Sequence, residues 1–323
     1  MTFNSVRFIE YCLHHVFEQD YAPLEIIVVD NASEDGTQEI LGRRVDASKV
    51  RVVLNHENRG FAGGQNQAIA ISQGEWILTL NPDVRLSPNF VSIAVGHGSA
   101  NALAGSVSGK LLAMNPDFTI PHAPVLDSTG IYFTPNLRHF DRGSRQADDG
   151  RYNRSEYVFG VTGAAGLYRR KMIEDLSIDG EFFDSDFFAY REDADVAWRA
   201  QLLGWKCLYV PDAIAYHVRS VLPDHRRSVV AIVNMHSVKN RFLMRIKNVT
   251  FRLYVRHFVS ITLRDTLVVA GCLLREWSSL PAFVMVIKLF PRAWAKRRNI
   301  MQRRRVTEDY MGAWFVSSSE TKR

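Results

Sequence analysis

Between residues 24 and 84, short β-branched apolar runs alternate with stretches of helical period. "LEIIVVD" (24–30) is a continuous apolar run ending on an acid, the pattern of a parallel strand buried on both faces. "SEDGTQEILGRR" (33–44) opens on Ser33 as an N-cap and runs helical. "VRVVLNH" (50–56) predicts a second strand, and "GGQNQAIAISQG" (63–74) a helix of small residues stopped by Gly74. "EWILTLNPDV" (75–84) predicts a third strand ending in Asn81-Pro82-Asp83. This β-α-β-α-β rhythm implies a doubly wound, mostly parallel α/β sheet. Ligands of such sheets bind at the carboxyl ends of the strands, where Asp30 and Asp83 fall.

From 115 to 157 the periodicity is lost. Four prolines punctuate the stretch, and "DRGSRQADDGRYNRSE" (141–156) is polar enough to predict a mobile loop. Order returns with a strand, a Gly-rich turn and a helix over 158–176. "KCLYVPDAIAYH" (206–217) predicts two short strands broken at Pro211. Between them, "FFAYREDADVAWRAQLLGW" (187–205) sets Glu192, Asp193 and Asp195 between an aromatic run and a helical pattern. The acids fit a helix start, where the dipole and free N–H groups favour them, and they equally fit a general base walled by aromatics.

Beyond Arg241 apolar stretches mix with basic residues. Lys239 to Arg323 holds 18 Lys plus Arg against 5 Asp plus Glu, so a net charge of +13 sits behind a body of −7. The longest uncharged stretches, Thr266–Leu274 and Trp277–Ile287, are too short to span a bilayer. Two readings stand: a helical hairpin buried on the main domain, or interfacial helices with Arg and Lys at anionic headgroups. The aromatic residues Trp277, Phe283, Phe290 and Trp294 favour a membrane surface over nucleic acid as the partner of the basic cluster. The expected organisation is a catalytic domain over 1–240, with 115–157 as an acceptor-side loop, and a basic amphipathic helical region over 241–323. Three scattered cysteines form no metal or disulfide framework, and no secretory leader is read after Met1. A cytoplasmic protein, peripheral at the inner membrane face, is therefore expected.

Three segments in order, "VVDNASEDGT", "ENRGFAGGQNQAI" and "LNPDV", resemble the family 2 glycosyltransferases of the GT-A fold, especially the bacterial rhamnosyltransferase branch. The resemblance covers about residues 2–220. It implies a nucleotide-sugar pocket formed by Thr2 and Asn4 of "TFN", by Asp30, by Asn58, Gly60 and Asn66, and by Asn81 and Asp83. Asp83 retains the second acid of a DxD motif, in which Asn81 replaces the first. With His217 it would hold a divalent ion, Mn²⁺ or Mg²⁺. The ED motif falls on Glu192-Asp193, with Asp193 as catalytic base, and Gly163, Ala164 and Glu192 would face the acceptor. The implied activity is inverting transfer of a sugar, rhamnose in this branch, from a dTDP- or UDP-sugar to a lipid-linked or polysaccharide hydroxyl. A nucleotidyltransferase would share the sheet and metal chemistry but needs a Gly-rich triphosphate loop near the amino end, and none is seen. An inactive membrane-bound relative is the other alternative. The resemblance also implies an apolar strand ahead of Thr2, where only Met1 stands. The intact later motifs favour a start placed too late over a degraded copy.

Overall fold

β-Branched runs become strands here because helices cover both faces of the sheet they build. A computed structural model describes residues 1–44, 49–218 and 231–315. After α1 (Ile9–Phe17), strand β1 (Ile26–Asp30) pairs in parallel with β2 (Val50–Leu54), with α2 (Thr37–Arg44) as the crossover. Then follow α3 (Gly60–Ile71), β3 (Trp76–Leu80), β4 (Val84–Leu86), α4 (Phe90–Ala100) and the long β5 (Ala104–Ala113). Four short strands come next: β6 (Leu126–Ser128), β7 (Ile131–Phe133), β8 (His139–Asp141) and β9 (Glu156–Val158). β10 (Ala165–Arg169), α5 (Arg170–Leu176), α6 (Glu192–Leu202) and β11 (Lys206–His217) complete the sheet domain. The larger sheet runs β3-β10-β5-β11-β4; β11 is parallel to β5, while β10 is antiparallel between β3 and β5. The expected α/β architecture is present.

Several local expectations are corrected. Helix α2 begins at Thr37 rather than at Ser33, whose hydroxyl and N–H both go to the Asp30 carboxylate; the Asp35 side chain accepts from the Thr37 N–H at 3.1 Å instead. Helix α3 starts at Gly60 and stops at Ile71, before Gly74. Residues 206–217 form one strand, because a register shift between Val210 and Ile214 takes Pro211 out of the ladder. Short strands form within 115–157, and the 141–156 segment expected to be mobile is tied down by long-range hydrogen bonds. Buried Lys110 reaches Asp148 at 3.0 Å and Asn153 at 2.6 Å, and the Tyr209 hydroxyl donates to the Tyr152 carbonyl. Long-range polar contacts thus order a segment that has no periodicity of its own.

The remaining helices are α7 (Ala231–Asn248), α8 (Phe251–Arg256), α9 (Phe258–Leu274), α10 (Pro281–Gln302) and α11 (Glu308–Gly312). The boundary expected at 240/241 falls inside α7, and residues 316–323 of the expected helical region lie outside the described residues. Leu243, Met244, Ala293 and Ile300 share one core with Phe187, Trp198 and Tyr209. Under them lies a buried charge cluster. Lys247 bonds both Asp184 and Asp195; Lys296 bonds Asp184 at 2.6 Å and Asp186 at 2.9 Å. Asp195 also takes Arg199 at 2.9 Å and Asn248 at 2.7 Å. Burial alone would raise the Asp184 pKa, but Lys247 and Lys296 hold it well below the usual carboxylate range.

One position in the sheet is open. Among the described residues β1 pairs along its length with β2 alone and β3 with β10 alone, and a cavity of about 370 Å³ lies between them. Ile27 and Val28 line one side, Ile77 and Leu78 the other, and Cys12 and Leu13 of α1 contribute apolar wall. Thr2 bridges Asp30 in parallel, so the chain leaves this slot at Met1–Thr2. This is the place where the resemblance puts an apolar strand.

Two predictions follow from these contacts. A Val/Ile-rich extension of about five residues ahead of Met1 should raise Tm by about 5 °C or more, through the apolar volume it fills, while a Gly/Ser extension of equal length should not. Lys247→Met leaves Asp184 and Asp195 buried with fewer partners and should cost about 3–5 kcal/mol, read from the urea midpoint at unchanged slope. Because the Asp184 pKa is depressed on folding, its contribution is full above the unfolded carboxylate value of about 3.9 and is lost as pH falls below it. Lys247→Met should therefore also flatten the stability profile in that acid range.

Candidate active site

Two strand pairings assemble the candidate residues. Leu80 of β3 pairs with Ala165 of β10, which sets Asn81 beside Ala164, and the Asn81 N–H donates to the Ala164 carbonyl at 2.9 Å. The N–H of the adjacent Gly163 donates to Asp193 Oδ2 at 2.9 Å. The "LNPD" turn and the ED motif are therefore tied through one short stretch of backbone. On the other side, Val84 of β4 pairs with His217 of β11, which brings His217 Nε2 to 3.4 Å from Asp83 Oδ1. His217 Nδ1 is anchored by Asp127 Oδ2 at 2.8 Å. Burial alone would lower the His217 pKa, but Asp127 and then Asp83 push it up to about 10; a cation held at Nε2 would take the place of the proton there.

That arrangement fits a divalent cation. A carboxylate oxygen and an imidazole nitrogen face one another, and the second ring nitrogen is fixed by an acid, the support usual for a metal-ligating histidine. Oxygen with imidazole nitrogen suits Mn²⁺ or Mg²⁺ better than a soft metal. Asp127 is a residue that sequence reasoning missed. Its only signal is an acid inside the apolar "PVLDSTG" of a stretch read as loop.

The ED motif enters on a strained turn. Phe188, Tyr190 and Arg191 all have positive φ, at 65°, 71° and 73°, and none is glycine. The Asn240 side-chain amide holds this turn, donating to the carbonyls of Phe187, Ala189 and Tyr190 at 2.7–2.8 Å. His236 stacks on Phe188 with ring centroids 4.9 Å apart. Helix α6 then begins at Glu192. Burial and the neighbouring charge of Asp193 push the Glu192 pKa well above the usual range, and its Oε2 has no hydrogen-bond partner among the described residues. Burial raises the Asp193 pKa as well, opposed by the N–H groups of Gly163 and Ala194, which hold its carboxyl group in place. Asp195 is turned inward to Arg199 and Lys247.

The expected nucleotide residues fall into two groups. Thr2 exchanges backbone bonds with Val29 and Asn31, Asn4 is tied to Ser33 and Glu34, and buried Asp30 accepts from Ser33 and from Gln38 at 2.8 Å. These three sit together at the end of β1. Asn58, Gly60 and Asn66 instead brace the aromatic run. Asn58 Oδ1 accepts from the Gly60 N–H, and the Asn66 side chain bonds the Phe183 backbone on both its N–H and its carbonyl. Gly60 is required here twice over, by a φ of 71° and because a Cβ would lie 2.4 Å from the Phe188 carbonyl oxygen.

The candidate residues thus gather where β3 and β11 end and where β4, β10 and α6 begin. The description "Glycosyl transferase family 2" matches residues 1–177, and the chain belongs to that family. It is 26% identical over 246 residues to the N-acetylglucosaminyl-diphospho-decaprenol L-rhamnosyltransferase of Mycobacterium tuberculosis, covering 67% of this chain and 76% of that protein. It is also 22% identical to the poly-beta-1,6-N-acetyl-D-glucosamine synthase of Staphylococcus aureus, over 66% of this chain and 47% of that protein. Among solved structures, the fold is similar to that of S. aureus TarS 1-349 in complex with UDP-GlcNAc, with a TM-score of 0.57 at 16% identity, covering 93% of this chain and 87% of that one. It is similar too to the mannosyltransferase PcManGT from Pyrobaculum calidifontis in complex with GDP-Man and Mn²⁺, with a TM-score of 0.53 at 19% identity, covering 97% of this chain and 85% of that one.

Gly60→Ala should displace the 187–191 turn. It is expected to destabilise the protein by about 1–3 kcal/mol in chemical denaturation and to shift the amide resonances of Phe188 and Asp193; an unchanged spectrum would remove the bracing role of Gly60.

Proposed function

We propose that the protein transfers a sugar, with inversion, from a nucleoside-diphosphate donor to a hydroxyl of a lipid-linked or polysaccharide acceptor in cell-envelope glycan synthesis. The observation that carries this reading is the linked arrangement of Asp83–His217 and Asp193 across the 163–164 turn. The 26% identity to a rhamnosyltransferase named for a diphospho-decaprenol acceptor supports an envelope role and makes a dTDP- or UDP-sugar, rhamnose first, the donor to test.

Asp83 and His217 would hold a divalent ion, Mn²⁺ or Mg²⁺, which when bound supplies positive charge for the leaving diphosphate. The residues of the chain do the rest. Thr2, Asn4 and Asp30 border the nucleoside end. Of the aromatic run, Phe182, Phe183 and Phe187 are packed in the core, and half-buried Phe188 with exposed Tyr190 borders the acceptor mouth. Asp193 takes the proton from the acceptor hydroxyl as that oxygen bonds the anomeric carbon and the carbon–diphosphate bond breaks. Gly163 N–H holds Oδ2 through the step. A single base opposite the leaving group gives one displacement and hence inversion.

Asp193→Asn should lower kcat by about 10²–10⁴-fold with donor binding nearly intact. The wild-type kcat/KM should fall as pH drops, because the base works only deprotonated. The raised Asp193 pKa puts this acid limb above the usual aspartate value of about 3.9, and the limb should vanish in the variant. A variant retaining more than about a tenth of kcat would remove Asp193 as the base.

A further inference from the structure

The outward face of the carboxyl-terminal helices is apolar where a water-facing helix is polar. On α9, Val259, Leu263, Leu267 and Leu274 are 57–77% exposed. At about 100° per residue they form one stripe, while buried Ile261 and Cys272 lie roughly opposite. On α10, Val284, Ile287, Phe290 and Trp294 are 45–74% exposed, and Ala282, Ala293 and Ile300 turn inward. Trp277, 71% exposed, stands between the two helices, and Phe251, 79% exposed, precedes them on α8. Exposed apolar surface on this scale marks an interaction site. Among the described residues no helix is long and apolar enough to cross a membrane.

The charges choose the occupant. Between Val249 and Gln302 there are nine Lys plus Arg and only two acids, Asp265 and Glu276. Asp265 is already bonded to Arg241 and Arg245, while Arg275, Lys288 and Arg298 are exposed. A second copy would bring the same cations against these, and like charges across a two-fold interface oppose it. Most of the basic cluster that could have served nucleic acid is paired within the chain. Lys296 is buried on Asp184, Arg297 donates to the carbonyls of Ile246 and Val249, and Arg303 and Arg305 bond Asp175.

We infer that the α8–α10 face docks flat on an anionic lipid bilayer, with the Val259–Leu274 and Val284–Trp294 stripes among the acyl chains and Arg275, Lys288 and Arg298 at the headgroups. Tryptophan at the interface and cations at phosphate depth are the pattern of an in-plane helix. The inference deepens the transfer reading, resting on it only for the lipid-borne acceptor; the docking itself needs no catalysis.

The test is flotation of the full chain with equimolar phosphatidylglycerol–phosphatidylcholine vesicles, with nucleoside-diphosphate release from the donor measured on the same samples. The wild type should float, and raised salt should weaken binding in part, since screening removes the ionic share alone. L263E/L267E changes only outward residues; it should keep its Tm and donor hydrolysis while losing at least about tenfold in vesicle binding. Arg275→Gln with Lys288→Gln should bind less and lose most of its salt dependence. A wild type that hydrolyses donor but never floats, or an L263E/L267E protein that floats equally well, overturns the docking face and leaves the transfer reading standing. A dimer that L263E/L267E dissociates would assign the face to a second copy and also overturn it. A chain that floats but hydrolyses no donor keeps the docking face and removes the catalytic reading.

Discussion

The cluster of Asp184, Asp186 and Asp195 with Lys247, Lys296 and Arg199 is the constraint on which the rest depends. Charges removed from water are tolerable only when each has partners at hydrogen-bond distance, and here four separate parts of the chain supply them. Asp184 and Asp186 lie within the aromatic run, Asp195 sits in the first turn of α6, and the lysines come from α7 and α10. The carboxyl-terminal helices are thus fastened to the elements that carry Asp193. Asn240 and His236 of α7 add to the same fastening by holding the strained 187–191 turn. Deleting the helices beyond Val249 would strip Lys296 from Asp184, so they are part of the site's support as well as an outer face.

From that support the site is built through the backbone. Asn81 bonds Ala164, Gly163 bonds Asp193, and Val84 pairs with His217. Electrostatics then tunes these groups. Asp127 and Asp83 flank His217 and raise its pKa, while burial raises the pKa of both Glu192 and Asp193, with the Gly163 and Ala194 N–H groups opposing the rise at Asp193.

What was legible in the sequence was local or periodic. The runs at 26–30, 50–54 and 76–80, the strand-end positions of Asp30 and Asp83, and the order of the motifs needed only spacing and residue type. What was hidden depends on partners far along the chain. Asp127 acts only because β6 pairs with β5 and so meets β11, and Lys110 orders the 115–157 stretch from 38 residues away. The cations at 296–298 and 303–305 read as one basic patch, yet Lys296 and Arg297 have separate acceptors within the chain, and Arg303 and Arg305 share Asp175. Charge composition reports how many cations there are and not which way they face. Pro211 misled for a similar reason, since a bulge absorbs in three dimensions what looks like a break in one.

The central claim is that Asp83 and His217 serve a nucleotide-sugar donor. Its most direct measurement is nucleoside-diphosphate release from a panel of dTDP-, UDP- and GDP-sugars by the wild type, Asp83→Ala and His217→Ala proteins, with and without Mn²⁺. The account predicts release from at least one donor, dependent on the divalent ion, abolished in Asp83→Ala and reduced in His217→Ala. Release that is independent of the ion and equal in all three proteins would contradict it.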